Sequence, residues 1–409
     1  MSHPLTSRDF PDTRSQERLE PQEKLQAVGE DSARLFMGLP KEDTMKENRV
    51  ALVPSSVSAL VGAGHRIVVE SGAGDKSHFS DHDFSEAGAQ IVHSKKEVYE
   101  AEIVLKVAPP NMEETQWLRP GQIIISPLQI PMLSKDLLLK LKNKRVIAVA
   151  MEYLQDQDGS FPLVRMMSEM AGYSAILKAA ELLTISSGGK GVLLGGISGV
   201  PPAKIVILGA GVVGEFAVRS ALGLGAEVCV FDNNIYKLMR IQNRLGRQLF
   251  TSALNTVDLE KELMDADVVI GAIHSESGRS PIIVTEEMVM KMQPGAVIID
   301  VSIDQGGCIE TSELTVQDRP TFVKHEVVHY CVPNIASNVA RTASMAGSNI
   351  LTPILLQAGE TKNIEQLLYQ NTGLRHGVYM YKGALTNAYL GEQFDIKYTN
   401  LDLLITSNL

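Results

Sequence analysis

Short apolar runs recur along most of the chain, separated by stretches whose apolar positions return every three or four residues. A first short strand is predicted within Arg34-Leu-Phe-Met-Gly-Leu-Pro. His65 to Glu70, Ile103 to Val107, Gln122 to Ser126 and Val146 to Ala150 read as further strands, with helical patterns such as Lys135 to Lys142 between them. Strands alternating with helices predict a parallel sheet covered on both faces. Near Met166 the pattern changes. Ala171, Ala175, Ala179, Leu182 and Ile185 recur at close to 3.6 residues and predict a long helix from Ser168 to Ile185. A glycine-rich turn and Pro201-Pro202 follow, and a second alternating block begins. Its strands are Lys204 to Leu208, Glu227 to Phe231, Val268 to Ala272, Ala296 to Val301 and Val327 to Cys331. Beyond about Arg341 the pattern is helical, without further strand alternation, and is expected to return to the first block.

A chain of 409 residues is too long for one ordinary core. The expected class is α/β with two domains, a Rossmann domain over residues 166–340 and a discontinuous α/β domain over 34–165 and 341–409. Residues 1–33 read as a polar extension with a helical stretch around Gln22 to Val28. They lack the apolar core of a secretory signal. No window is apolar for long enough to span a bilayer. The net charge of −10 argues against a nucleic-acid or anionic-membrane partner, which would need a basic face. Three scattered cysteines, Cys229, Cys308 and Cys331, fit a reducing, cytoplasmic setting and no disulfide or zinc framework.

The densest chemical signal is Gly209-Ala210-Gly211-Val212-Val213-Gly214, which follows an apolar strand and precedes a helical run from Glu215 to Leu224. In that setting the three glycines serve, in order, a tight turn, the close approach of a pyrophosphate, and close helix–strand packing. Amide groups at the start of the helix then face the phosphates. Asp232 ends the next strand, where a carboxylate accepts hydrogen bonds from ribose hydroxyls and repels a 2′-phosphate, favouring NAD over NADP. Lys237, on the next helical run, is also expected to contact the cofactor. Ligands lie beyond the carboxyl ends of such strands. Ile273 and His274, Val301, Ile303 and Asp304, and Val332 and Asn334 are therefore expected to line the remaining cofactor.

Several stretches resemble the alanine dehydrogenases and their relative, the NAD-binding component of proton-translocating transhydrogenase. They are Pro40-Lys-Glu with Glu47-Asn-Arg-Val-Ala, Ser168-Glu-Met-Ala-Gly172, and Gly188-Gly-Lys-Gly-Val-Leu-Leu-Gly-Gly-Ile-Ser-Gly-Val-Pro. Gly209-Ala-Gly, Pro294 to Cys308 and His329-Tyr-Cys-Val-Pro-Asn334 continue the likeness to the C-terminus. Asp304-Gln-Gly-Gly-Cys and His-Tyr-Cys-Val look more like alanine dehydrogenase. The resemblance implies two domains around a cleft, a homo-oligomer, commonly a hexamer, and reversible deamination of L-alanine to pyruvate and ammonia with hydride transfer to NAD. It assigns Arg49 to the substrate carboxylate, which a guanidinium fork suits. It assigns Asp304 to the active site beside the nicotinamide, and Ser168 to the cofactor. Ser168 is equally well placed to cap the long helix.

Two positions depart from the family. Ala108 stands where the family has a substrate-binding lysine, and Gln129 where it has the proton-exchanging histidine. An alanine side chain donates no hydrogen bond, and glutamine exchanges no proton at neutral pH. Lys106, two residues before Ala108 and on the same strand face, is a candidate replacement for the lysine. His274 is a candidate for the proton shuttle. Two other readings therefore stay open: a catalytically altered NAD-binding protein of the transhydrogenase-like type, and a dehydrogenase for another small amino or oxo acid.

Overall fold

The computed structural model describes residues 34–42, 47–130, 133–246, 248–275, 278–361 and 364–406. The polar extension, with its expected helix around Gln22, lies outside the described residues.

The first block forms six parallel strands: β1 (Phe36–Leu39), β2 (Arg66–Glu70), β3 (Gln90–Val92), β4 (Ile103–Leu105), β5 (Ile123–Ser126) and β6 (Ile147–Ala150). The second block forms β7 (Lys204–Leu208), β8 (Glu227–Phe231), β9 (Phe250–Ser252), β10 (Val268–Gly271), β11 (Val297–Asp300), β12 (Thr321–Lys324) and β13 (Val327–Tyr330). These are parallel except for β12, which runs antiparallel along β13. Central strands such as β5 (Ile-Ile-Ile-Ser) and β10 (Val-Val-Ile-Gly) are buried throughout. That is why they appear in the sequence as unbroken apolar runs. Each fully buried Ile or Leu contributes about 1.5–3 kcal/mol.

The C-terminal segment departs from expectation. It adds two strands, β14 (Val378–Tyr381) and β15 (Ala384–Leu385), to the edge of the first sheet. β14 pairs antiparallel with β6. A strand of four residues within turns offers too little length for its period to show.

The strand orders place the crevices. The first sheet runs β15-β14-β6-β5-β4-β1-β2-β3 and the second β12-β13-β11-β10-β7-β8-β9. From β1 the chain moves outward through β2 and β3, then crosses to the other side at β4. From β7 it moves through β8 and β9, then crosses to β10. Each reversal opens a gap at the carboxyl ends of two adjacent strands, where ligands bind in open α/β sheets.

Two long helices join the blocks. Pro162–Leu182 starts six residues earlier than the periodicity predicts, with Pro162 in the first turn, where its fixed φ and missing N–H cost nothing. Its Leu163 and Met167 pack on the first core, while Ala171, Ala175, Ala179 and Leu182 pack on the second. Ala340–Glu360 packs against it and carries Leu351, Leu355 and Ala358 back into the first core.

Candidate active site

The glycine turn has the form expected of a diphosphate cradle. Gly209 lies at φ 107°, and a Cβ there would come within 2.4 Å of the Ala272 carbonyl oxygen. A Cβ on Gly214 would lie 1.9 Å from the Gly209 carbonyl oxygen, so only glycine lets this helix sit on its strand. A Cβ on Gly211 would meet nothing within 4 Å. The middle glycine therefore faces open space, where a ligand would lie. Helix Val212–Gly223 starts here, and among the described residues no side chain caps it. Its first amides have no carbonyl of their own helix to bond and suit a pyrophosphate. Ala210 is buried, whereas Val212 and Val213 are half-buried.

Asp232 is placed as expected at the end of β8, but its carboxylate already has local partners. One oxygen accepts the Ala210 N–H at 2.7 Å and the other the Asn234 N–H at 2.7 Å. Each oxygen keeps a further acceptor site for a ribose hydroxyl. Lys237 is exposed in the first turn of helix Ile235–Leu245, whose cap is Asn234. Ser168 lies in the second turn of its helix. The cap position is Phe161, so the capping alternative fails because the helix begins at Pro162. At the other strand ends, Ile273 and Val301 are half-buried, and Ile303 and Val332 are buried. Burial of the last two leaves mainly their backbone to meet a cofactor. These features fit a dinucleotide along the ends of β7, β8, β10 and β11.

Arg49, in the loop after β1, is buried and held by Glu47. Its Nε and Nη2 donate to the two Glu47 carboxylate oxygens at 2.7 Å each. The fork expected to face a ligand is thus engaged on one edge. The other edge, Nη1, lies 3.3 Å from the Met167 thioether. Burial pushes the Glu47 carboxyl up, but the Arg49 charge and its hydrogen bonds outweigh this and hold it below the ordinary carboxylate range. The loop is fixed by serines: the N–H groups of Asn48, Val50 and Val53 donate to the hydroxyls of Ser337, Ser344 and Ser348 at 3.1, 3.0 and 2.9 Å.

Asp304 lies in the turn after β11. Its Oδ1 accepts the Asn334 N–H at 3.0 Å, and the Asn334 side-chain amide donates to Glu47 at 2.8 Å. The side chain is exposed at the surface, yet protein surrounds it closely enough that desolvation raises its carboxyl above the ordinary value, against the pull of the Asn334 N–H and Arg49. The turn itself hangs on Asp300, whose buried carboxylate accepts from the Ser302, Cys308 and Ile309 amides and the Ser312 hydroxyl.

The structure corrects the reading of Lys106 as a cleft lysine. It is 2% exposed, and its ammonium is paired with Glu42 at 2.7 Å and Glu114 at 3.2 Å. A buried cation needs such partners, and these two carboxylates provide them. Ala108 is half-buried. Gln129, after β5, takes a left-handed conformation at φ 48°. Glu152, after β6, accepts the N–H groups of Leu128 and Gln129 at 2.7 and 3.2 Å. Its second oxygen has no partner among the described residues, and burial raises this carboxyl. His274 is exposed beyond β10.

Sequence reasoning overlooked Glu47 and Glu152. Glu47 opens the Glu-Asn-Arg-Val-Ala motif two residues before Arg49, and that spacing was its only signal. Glu152 had none, because what makes it notable is its adjacency to β5. The motif histidine His329 is a core residue: its Nδ1 bonds the Val327 carbonyl oxygen at 2.9 Å and its Nε2 the Thr311 hydroxyl at 2.8 Å. All three cysteines are buried, and burial pushes the Cys229 thiol up to about 12. The concavity lined by Arg34, Glu102 and Arg119 lies at the amino ends of the first sheet, opposite these loops. No helix among the described residues is long and apolar enough to cross a membrane.

Comparison with known proteins agrees with this architecture. Residues 38–171 match the family model "Alanine dehydrogenase/PNT, N-terminal domain", and residues 175–388 the corresponding C-terminal domain. The chain is 40% identical to the alanine dehydrogenase of Methanococcus maripaludis over 370 residues, covering 89% of this chain and 98% of that protein. It is 39% identical to alanine dehydrogenase 2 of Staphylococcus aureus over 367 residues, covering 90% and 98%. A solved L-alanine dehydrogenase superposes with TM-score 0.83 at 36% identity, covering 88% of this chain and 99% of that one. The transhydrogenase of Sinorhizobium meliloti follows with TM-score 0.73 at 25% identity, covering 86% and 99%. With both domains matched in order, the chain belongs to the alanine dehydrogenase/PNT family.

Proposed function

We propose that this protein is an NAD-dependent dehydrogenase that converts L-alanine and water reversibly to pyruvate and ammonia. The observation that carries this reading is the hydrogen-bonded assembly of Arg49, Glu47, Asn334 and Asp304 at the strand ends, in a chain similar to alanine dehydrogenases over nearly its whole length. Bound NAD supplies the hydride acceptor. Gly209, Gly211 and Gly214 with the first amides of helix Val212–Gly223 hold its diphosphate, and Asp232 holds the adenosine ribose. Ser168, Lys237, Ile273, His274, Val301 and the backbone at Ile303 and Val332 border the rest.

The second edge of Arg49, where Nη1 rests against the weakly accepting Met167 thioether, turns to the substrate carboxylate and so fixes the α-carbon. Asp304 lies on the side of the amine. Its raised pKa suits it to take a proton as the amine becomes an imine and then leaves as ammonia. Gln129 holds an oxygen of the reacting carbon or of the attacking water, without exchanging a proton itself. Ala108 leaves the substrate short of one cation that the family provides. The protein acts as a homo-oligomer, a hexamer by resemblance, in the cytoplasm. Exposed Tyr173 and Leu177, one turn apart on one long helix, with exposed Leu193, Ile197 and Val200 nearby in sequence, support a self-association face. The three unpaired, buried cysteines support the location.

The test is NADH formation with L-alanine and NADH consumption with pyruvate and ammonia. NADH binding without either would favour the second reading, a catalytically altered NAD-binding protein, which Ala108, Gln129 and the buried Lys106 favour. Turnover confined to another amino acid would move the substrate. Asp232→Ala should weaken NAD binding and relax the rejection of NADP; unchanged selectivity would place the ribose contact elsewhere.

A further inference from the structure

We infer that Glu47 is a positioning residue for the proposed reaction: its one carboxylate sets the substrate arginine and, through Asn334, ties it to the turn that carries Asp304. This inference rests on the proposed function. A carboxylate has about four acceptor sites. Glu47, 3% exposed, receives six donors: Arg49 Nε and Nη2 at 2.7 Å each, the Asn48 and Arg49 amides at 3.1 and 3.0 Å, Asn334 Nδ2 at 2.8 Å and the Ser337 hydroxyl at 3.2 Å.

Neutralising a buried arginine needs only the first two of these. Asn334 and Ser337 come from the segment leaving the second sheet, 287 and 290 positions along the chain from Glu47. Asn334 is left-handed at φ 55°, a conformation that asparagine tolerates better than most residues. That backbone lets one residue act in both directions. Its N–H donates to Asp304 at 3.0 Å and its side-chain amide to Glu47. The guanidinium that fixes the substrate carboxylate and the acid beside the amine are therefore referenced to one point, although they belong to different sheets. A displacement of about 1 Å between such groups is enough to cost on the order of 10²-fold in rate.

The experiment is a double-mutant cycle in kcat/KM for L-alanine, using Glu47→Gln, Asn334→Asp and the double variant. Glu47→Gln keeps the shape but loses the charged acceptor. It should lower kcat/KM about tenfold or more, roughly 1.4 kcal/mol, with NADH affinity within about twofold. Asn334→Asp turns a second carboxylate toward Glu47 and should do at least as much harm. The double variant restores an amide–carboxylate pair with its direction reversed, so it should recover activity relative to Asn334→Asp alone. If Asn334→Asp fails to fold by thermal melting, Asn334→Ala replaces it. Its loss and that of Glu47→Gln should then be non-additive, because both break the same hydrogen bond. Additive losses, or an equal loss of NADH affinity in Glu47→Gln, would overturn the positioning role while leaving the enzyme reading intact. Absence of alanine-dependent turnover in the unaltered chain would instead remove the reading on which this one stands.

Discussion

Position 129 concentrates the chemical question of this chain. Its backbone is left-handed, its N–H rests on Glu152, and its side chain cannot exchange a proton. Histidine is among the residues that accept such a backbone, so Gln129→His fits the conformation there. If position 129 faces the reacting carbon, Gln129→His should raise kcat for alanine oxidation by about tenfold or more, toward the ~10²–10⁴ that general acid–base help supplies. It should also add a limb to the pH profile. The neutral imidazole is the base in the deamination direction, so the rate should rise as pH climbs through about 6.5. Steady-state kinetics across pH would show both, and an unchanged rate and profile would take position 129 out of the reaction. Lys106 shows where spacing alone misleads. Its spacing from Ala108 predicts a shared strand face, but β4 ends at Leu105, so neither residue lies on a strand, and spacing says nothing about nearby acids. Glu42 and Glu114 come from 64 residues before and 8 residues after it, and they claim the ammonium.

Among the elements, the strand–turn–helix unit at β7 was legible in the sequence, because its constraints are local. An apolar strand, three spaced glycines and a terminal Asp232 each answer to their near neighbours. Gly214→Ala tests that unit. Its Cβ would press on a backbone carbonyl oxygen at 1.9 Å, which no side-chain rotation relieves. Overpacking of this kind costs about 1–3 kcal/mol, and more where backbone must move. Thermal melting should fall by several degrees, and NADH affinity should fall with it as the helix is pushed off its strand. A variant with the melting point and affinity of the parent would mean the helix can slide without loss. The long helix Pro162–Leu182 was found from its alanine stripe, but its true start was hidden. The first turns face a different core, so their apolar positions do not continue the same stripe. The short strands β3, β9, β12, β14 and β15 were missed because two to four residues, without the unbroken aliphatic runs of the central strands, carry too little signal.

For the molecule as a whole, the exposed apolar face is the feature that a single chain leaves unexplained. Leu177 is 62% exposed in the middle of a helix whose opposite face is core. Self-association over this face predicts that Leu177→Glu lowers the molar mass seen by light scattering and lowers thermal stability in a concentration-dependent way. The same mass for parent and variant would move the interface elsewhere.

The sequence by itself determined the two alternating blocks, the glycine turn with its carboxylate, and the family. All of these are written in local order, in the periods of strands and helices and in residues a few positions apart. Only the tertiary structure decided that Glu47 engages one edge of Arg49, that Asn334 links it to Asp304, that Lys106 is buried among acids, and that Glu152 backs Gln129. Those pairings join residues up to 287 positions apart, or on strands made adjacent by a crossover. Hydrogen bonds and charges act over a few ångströms of space, and separation along the chain does not fix that distance.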